Sequence, residues 1–270
     1  MNGEYINADF IGLIALEAGK AVLSIYEQET DEVVSERKAD DSPLTQADRT
    51  AHAILTRRLQ ERYPHIPVLS EEGEEIPYET RRMWRQFWLV DPLDGTKEFL
   101  NRNGEFTINI ALIEDGYPVV GVVYVPVLDL LYIGDRNIGC RREFRGIKTN
   151  LRLEGTKALS DGVIRVVHSR SHISDALRDF LKTMPEHQAI SRGSSLKFCA
   201  VAAGEADLYP RFGPTMEWDT AAGQAVVEAA GGIVVDRNGS RFRYNKEDLH
   251  NPPFFVAPDR KLLEQIGVLS

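Results

Sequence analysis

The chain has 270 residues, 43% hydrophobic and 27% charged, with 41 acidic against 32 basic residues and a formal net charge of -9. Those values describe a globular protein of one large or two modest domains able to bury a real core. They argue against a nucleic-acid duplex as main partner, which needs clustered excess Lys and Arg, but not against a small phosphorylated ligand drawn to carboxylate-held cations. Cys140 and Cys199 lie far apart with no C-x-x-C pattern, so neither a disulfide framework nor a thiolate zinc cluster is expected. Met1–Tyr5 carry no basic region ahead of an apolar stretch, and the uncharged segment Tyr117–Leu128 is too short to span a bilayer. A cytoplasmic protein without a membrane-spanning segment is the expectation.

In chain order, Ile11, Ile14, Ala15, Ala18, Val22 and Ile25 form one apolar stripe that predicts a helix over Phe10–Tyr26. A second helix is predicted over Asp48–Tyr63, ended near Pro64 and Pro67, with a loop through Ser35–Pro43 between the two. Phe87–Val90 reads as a short strand stopping at Asp91-Pro92. Phe106–Ile113 and Tyr117–Val125 read as a hairpin turning at Glu114-Asp115-Gly116, and Leu130–Ile133 as a third strand. Arg141–Asp161 is polar and aperiodic, which places a division into halves 1–155 and 156–270 there. Beyond it the pattern alternates: a strand at Val163–His168, helices at Asp175–Thr183, Ser195–Gly204 and Thr220–Ala230, and a strand at Gly232–Val235.

The chemistry concentrates in carboxylates. Trp88–Phe99 delivers Asp91 at a strand end, and Asp94-Gly95-Thr96 opens a helix whose first amides favour an anion. Ser70-Glu71-Glu72 follows the apolar run Pro67-Val68-Leu69, and Glu217-Trp218-Asp219-Thr220 precedes an Ala-rich helix. Taken singly, Asp94 and Asp219 are also ordinary helix caps, Asp91 a turn residue and Glu71 a solvated loop charge. Taken together they need cations, because two unit charges about 4 Å apart repel by roughly 4 kcal/mol at an effective dielectric near 20. All-oxygen ligands select a hard ion such as Mg²⁺ over zinc. His52, His65, His187 and His250 sit in no ligand-spaced motif, and G-x-S-x-G, P-loop and G-x-G-x-x-G patterns are absent from the sequence.

The run Asp91-Pro92-Leu93-Asp94-Gly95-Thr96, with Ser70-Glu71-Glu72 upstream and Trp218-Asp219-Thr220-Ala221-Ala222-Gly223 downstream, resembles the three signatures of the inositol monophosphatase superfamily, in that family's order. Lys97-Glu98-Phe99, the stretch Lys38–Asp48 and Gly213-Pro214-Thr215 resemble its CysQ branch of 3'(2'),5'-bisphosphate nucleotidases. The resemblance implies a layered αβαβα sandwich with the site between two halves, the first carrying most metal ligands and the second Asp219 and the nucleotide contacts. It implies that Glu71, Asp91 and the Leu93 carbonyl hold one Mg²⁺, and Asp91, Asp94 and Asp219 a second. In some relatives a third ion would touch Glu71 and a water on Asp48. Thr96, paired with Asp48, would orient the attacking water, with Glu71 and Asp91 completing the catalytic set, and the Gly95 and Thr96 amides would face the phosphate. Substrate contacts are then Glu71, Leu93, Asp94, Gly95, Thr96 and Asp219, joined by Arg170, Ser195 and Lys197 from the segments His168–His172 and Gly193–Lys197. A capped helix with surface cations is the plain reading of those last three residues.

The activity implied is Mg²⁺-dependent hydrolysis of adenosine 3',5'-bisphosphate to AMP and phosphate, and of its sulfated precursor, in sulfur assimilation. An inositol or sugar monophosphatase is the nearest alternative. Asp94-Gly95-Thr96 also resembles the end of an aspartyl-phosphatase motif, and a regulatory ion-binding protein would keep the same ligands. The resemblance leaves oligomeric state and peripheral attachment to a membrane's cytoplasmic side open.

Overall fold

The computed structural model describes residues 6–27, 36–37, 43–44, 46–155, 163–170 and 173–269. Helix α1 (Ala8–Tyr26) begins at Asn7, whose side chain accepts from the Phe10 amide, and buries Ile11, Ile14, Ala15, Ala18 and Val22. Strands β1 (Glu36–Arg37) and β2 (Pro43–Leu44) pair briefly inside the predicted loop, most of which lies outside the described residues. Helix α2 (Gln46–Arg62) buries Ala47, Ala51, Leu55 and Leu59 at helical spacing, and Asp48 in its first turn.

Seven strands follow in sheet order: β3 (Val68–Ser70), β4 (Gln86–Asp94), β5 (Thr107–Glu114), β6 (Tyr117–Val125), β7 (Leu130–Asp135), β8 (Gly139–Phe144) and β9 (Ile147–Leu151). Short helices α3 (Tyr78–Arg81) and α4 (Thr96–Leu100) lie in the connections. Only β3 and β4 run parallel; the other pairs are antiparallel. Alternation divides the sheet: Trp88, Val90, Ile108, Ile110 and Val122 pack on α1 and α2, while Phe87, Leu89, Ala111 and Val123 face the other way.

On that second face lie α6 (Leu196–Ala202), buried along its length, and α7 (Ala221–Ala229), buried from Ala221 through Val227. Beyond them come the parallel pair β10 (Ile164–Ser169) and β11 (His187–Arg192), and the antiparallel sheet β12 (Tyr209–Arg211), β14 (Phe254–Ala257), β13 (Ile233–Asp236). Parallel bridging of Val166 to Leu208 ties the two together. The outer layer is α5 (Asp175–Thr183), whose Phe180 packs on Phe212 and Phe255, and α8 (Arg260–Gln265). The layering is αβαβα, as expected.

Two expectations change. Arg141–Asp161 is not wholly irregular: β8 and β9 form a hairpin that completes the large sheet, and residues 156–161 lie outside the described set. The second half is not a simple alternation either, because β12, β13 and β14 pair antiparallel.

Candidate active site

β3 and β4 run side by side, with Ser70 opposite Val90, so both strands release their next side chains at the same edge. The Glu71 amide donates to the Val90 carbonyl at 3.1 Å, which fixes Glu71 beside Asp91 through backbone alone. The strand does not stop at Pro92. It runs on to Asp94, with Asp91 opposite Asn109 and Asp94 opposite Thr107, while Pro92 and Leu93 fall in a bulge between them. A bulge accommodates a residue that cannot donate to the ladder and re-aims its neighbours. The Leu93 amide turns inward to donate to Asp91 Oδ1 at 3.1 Å.

Asp94 is therefore the last strand residue, and Gly95 occupies the cap position of α4. Gly95 has φ of 93°, and a Cβ there would lie 2.1 Å from Ser194 Oγ, so both backbone angle and space demand glycine. Thr96 opens the helix and is half-buried. Asp48, only 1% exposed, projects from α2 close enough to Asp91 to disfavour its ionisation.

Asp219 arrives from the other side of the site. It is not a cap; Thr220 precedes α7, and the Asp219 carboxylate accepts from the Met216 amide at 2.9 Å. Glu217 points away from the cluster. Fully buried, it accepts from the Asn245 and Lys246 amides and the Lys246 Nζ at 2.7, 2.9 and 2.6 Å. Arg81 grips the same turn through the Lys246 and Glu247 carbonyls. Glu217 thus anchors the segment that presents Asp219.

Carboxylate oxygens of Glu71, Asp91 and Asp219 lie within 4.8 Å of one another. Asp91 is 1% exposed, and its Oδ2 has no hydrogen-bond partner among the described residues. Burial, then the charges of Glu71, Asp94, Asp219 and Asp48, push its carboxyl well above the usual range. Asp219 is raised the same way, by burial, then by Asp94 and Glu71, against the Met216 hydrogen bond and Arg211. Asp94 is pushed up to about 6, chiefly by burial, with Lys197 and the Ser195 hydroxyl pulling the other way. A buried acid oxygen with no donor, inside a ring of raised carboxyls, fits a divalent cation.

The second-half residues divide. The Ser195 hydroxyl caps nothing; it donates to Asp94 Oδ2 at 3.1 Å and to the Asp219 carbonyl at 3.2 Å, linking two of the acids. Lys197 is buried, donates to the Ser194 carbonyl and lies 5.6 Å from the Tyr209 ring centroid. Burial, with Arg211 nearby, lowers its ammonium to about 8 despite the attraction of Asp94. Arg211 was missed from sequence; it ends the short strand β12, held by the Gly213 and Pro214 carbonyls at 3.2 and 2.9 Å. Arg170 is turned onto Glu105, with two contacts of 2.8 Å. Ser171 and His172 lie outside the described residues. His52 binds Ser70 Oγ at 2.9 Å, and burial lowers its ring.

A family model described as "Inositol monophosphatase family" matches residues 4–267. The chain belongs to that family. It is 48% identical over 245 residues to the 3'(2'),5'-bisphosphate nucleotidase CysQ of Salmonella typhimurium, covering 90% of this chain and 96% of that one. It is 46% identical to CysQ of Escherichia coli K12 over 251 residues, 92% and 98% of the two chains. The crystal structure of CysQ from Bacteroides thetaiotaomicron matches with a TM-score of 0.81 at 42% identity, over 95% of this chain and 99% of that one. An IMPase from Thermotoga maritima matches with a TM-score of 0.78 at 23% identity, over 96% and 95%, which speaks for the fold alone. Enzymes of this family use Mg²⁺.

Proposed function

We infer that the protein is a Mg²⁺-dependent 3'(2'),5'-bisphosphate nucleotidase that hydrolyses adenosine 3',5'-bisphosphate to AMP and phosphate, and the sulfated precursor as well, in sulfur assimilation. The observation that carries this is near-complete alignment with CysQ enzymes at 46–48% identity, with the acid cluster assembled from both halves of the chain. Glu71, Asp91 and the Leu93 carbonyl are proposed to hold one ion, Asp91, Asp94 and Asp219 a second, and Glu71 with Asp48 to border a third. Mg²⁺ there would neutralise phosphoryl oxygens and acidify a water.

The remaining work falls to side chains. Thr96 and Asp48 hold and deprotonate the attacking water on the α2 side, and the Gly95 and Thr96 amides receive the phosphoryl oxygens. Ser195 keeps Asp94 and Asp219 in register. Lys197 and Arg211 supply fixed positive charge for the second phosphate, which an inositol monophosphate lacks. The free buried cysteines accord with a cytoplasmic enzyme. Phosphate release from adenosine 3',5'-bisphosphate should exceed that from inositol 1-phosphate, and should vanish in EDTA. Equal or faster turnover of the inositol ester would reject the nucleotide assignment.

A further inference from the structure

We propose that Glu105 is a positioning residue that sets Ser194 and Ser195 against Asp94, and that Arg170 serves this carboxylate rather than the substrate. The proposal rests on the bisphosphate nucleotidase reading for its assay and on hydrogen bonding for its content. Glu105 stands just before β5, two residues from Thr107, the cross-strand partner of Asp94. Its Oε2 accepts from Arg170 Nε at 2.8 Å and from the Gly193 amide at 2.7 Å, and its Oε1 from Arg170 Nη2 at 2.8 Å. The same Nη2 reaches the Ser191 carbonyl at 3.3 Å, and the Arg170 amide reaches the Arg192 carbonyl at 3.2 Å. One carboxylate from the first half thereby joins the ends of β10 and β11, the two strands that bring the second half to the site.

The consequence lies one residue further on. Ser194 holds the left-handed backbone angle φ of 46°, uncommon for a side chain with a Cβ. Its hydroxyl donates to the Asp94 carbonyl at 2.8 Å, and Ser195 donates to Asp94 Oδ2 at 3.1 Å. A conformation of this kind persists when its surroundings over-determine it. The Gly193 amide on Glu105 fixes the turn from one side and the contacts with Asp94 from the other. Glu105 side-chain exposure is 17% against 45% for Arg170, so the acid forms the fixed end of a bidentate pair. Burial opposes its charge, but the Arg170 and Gly193 hydrogen bonds hold its carboxyl below the usual value.

The test uses full-length enzyme with Glu105→Gln, Arg170→Gln, Arg170→Lys and the Glu105→Gln/Arg170→Gln double variant. It reads kcat, KM for adenosine 3',5'-bisphosphate, the Mg²⁺ concentration for half-maximal rate, and the Mg²⁺-dependent thermal shift. Glu105→Gln and Arg170→Gln should each raise the Mg²⁺ requirement about five- to tenfold, by loss of a charge-assisted hydrogen bond. KM should stay within about twofold, a split expected if Asp94 rather than substrate contact is disturbed. The double variant should be no worse than the worse single one, as for residues of one network, and Arg170→Lys should recover part of the loss. A raised KM in Arg170→Gln with an unchanged Mg²⁺ requirement would make Arg170 a substrate ligand and overturn the proposal, as would wild-type behaviour in both glutamine variants. If Glu105→Gln does not fold, the two Arg170 variants decide. Should wild-type enzyme fail to cleave the bisphosphate, the functional reading falls while the Mg²⁺-dependent thermal shift still decides this one.

Discussion

Asp91 has one oxygen bonded to the Leu93 amide and one buried oxygen with no donor. Exchanging the carboxylate for an amide removes the charge shared by both proposed ion positions but almost no volume. Asp91→Asn should therefore lower turnover by roughly 100-fold or more. In EDTA its melting temperature should equal or exceed wild type, because one buried like charge has gone from the cluster. Thermal melts beside phosphate-release assays check both; retained turnover at saturating Mg²⁺, or a marked loss of metal-free stability, would contradict the role. At this scale Glu71, Asp91, Asp94 and Asp219 were legible because each lies in a compact run of distinctive neighbours. Glu217 was not, because its partners Asn245 and Lys246 are 28 and 29 residues away and donate mainly through backbone amides. The pairing of Arg170 with Glu105 was hidden for the same reason: nothing local announces Glu105, 65 residues earlier.

At the scale of elements, the placement of α7 decides where Asp219 sits. Gly121 on β6 and Gly134 on β7 are cross-strand partners directly under this helix. A Cβ on Gly121 would lie 2.5 Å from Ala225 Cβ, and one on Gly134 2.5 Å from the Ala225 carbonyl oxygen and 2.6 Å from Val226 Cα. The backbone of α7 has no room to yield without leaving the sheet. Gly134→Ala should cost about 1–3 kcal/mol by overpacking and raise the Mg²⁺ needed for activity; calorimetry with a Mg²⁺ titration checks both effects, and unchanged values for both would refute the dependence. Glycines inside strands are a readable sign of close backbone approach, although not of which helix approaches. The hairpin β8–β9 escaped notice for the opposite reason. Its residues are mostly exposed or half-buried on both faces, so no apolar alternation marks it. The bulge at Pro92 was read as a strand end because a proline normally terminates a ladder, and only the pairing beyond it shows otherwise.

Across the whole molecule, the acid cluster links folding to pH and metal. Asp94 ionises in the folded chain near pH 6, against an ordinary value of 3.8. Between those values the folded form binds more protons than the unfolded form, so this group's contribution to stability falls as pH rises. Asp91 and Asp219 move in the same direction. A cation that needs these groups ionised should reverse the trend, adding about 2.7 kcal/mol at a hundredfold excess over its dissociation constant. The rise in melting temperature on adding Mg²⁺ should therefore grow from pH 5 to pH 7. Melts with Mg²⁺ or EDTA at each pH test this, and a gain independent of pH would separate the metal from these carboxyls.

The parallel pairing of β3 with β4 has a consequence for how the chain tolerates change in length. Glu71 is seated by its own amide on Val90, so residues inserted in the exposed stretch after Gly73 merely enlarge a surface excursion between two seated ends. Deletion of one residue within Val68–Ser70 would turn Glu71 to the opposite side of the sheet. Natural or engineered variation in length should accumulate in the first place and be excluded from the second.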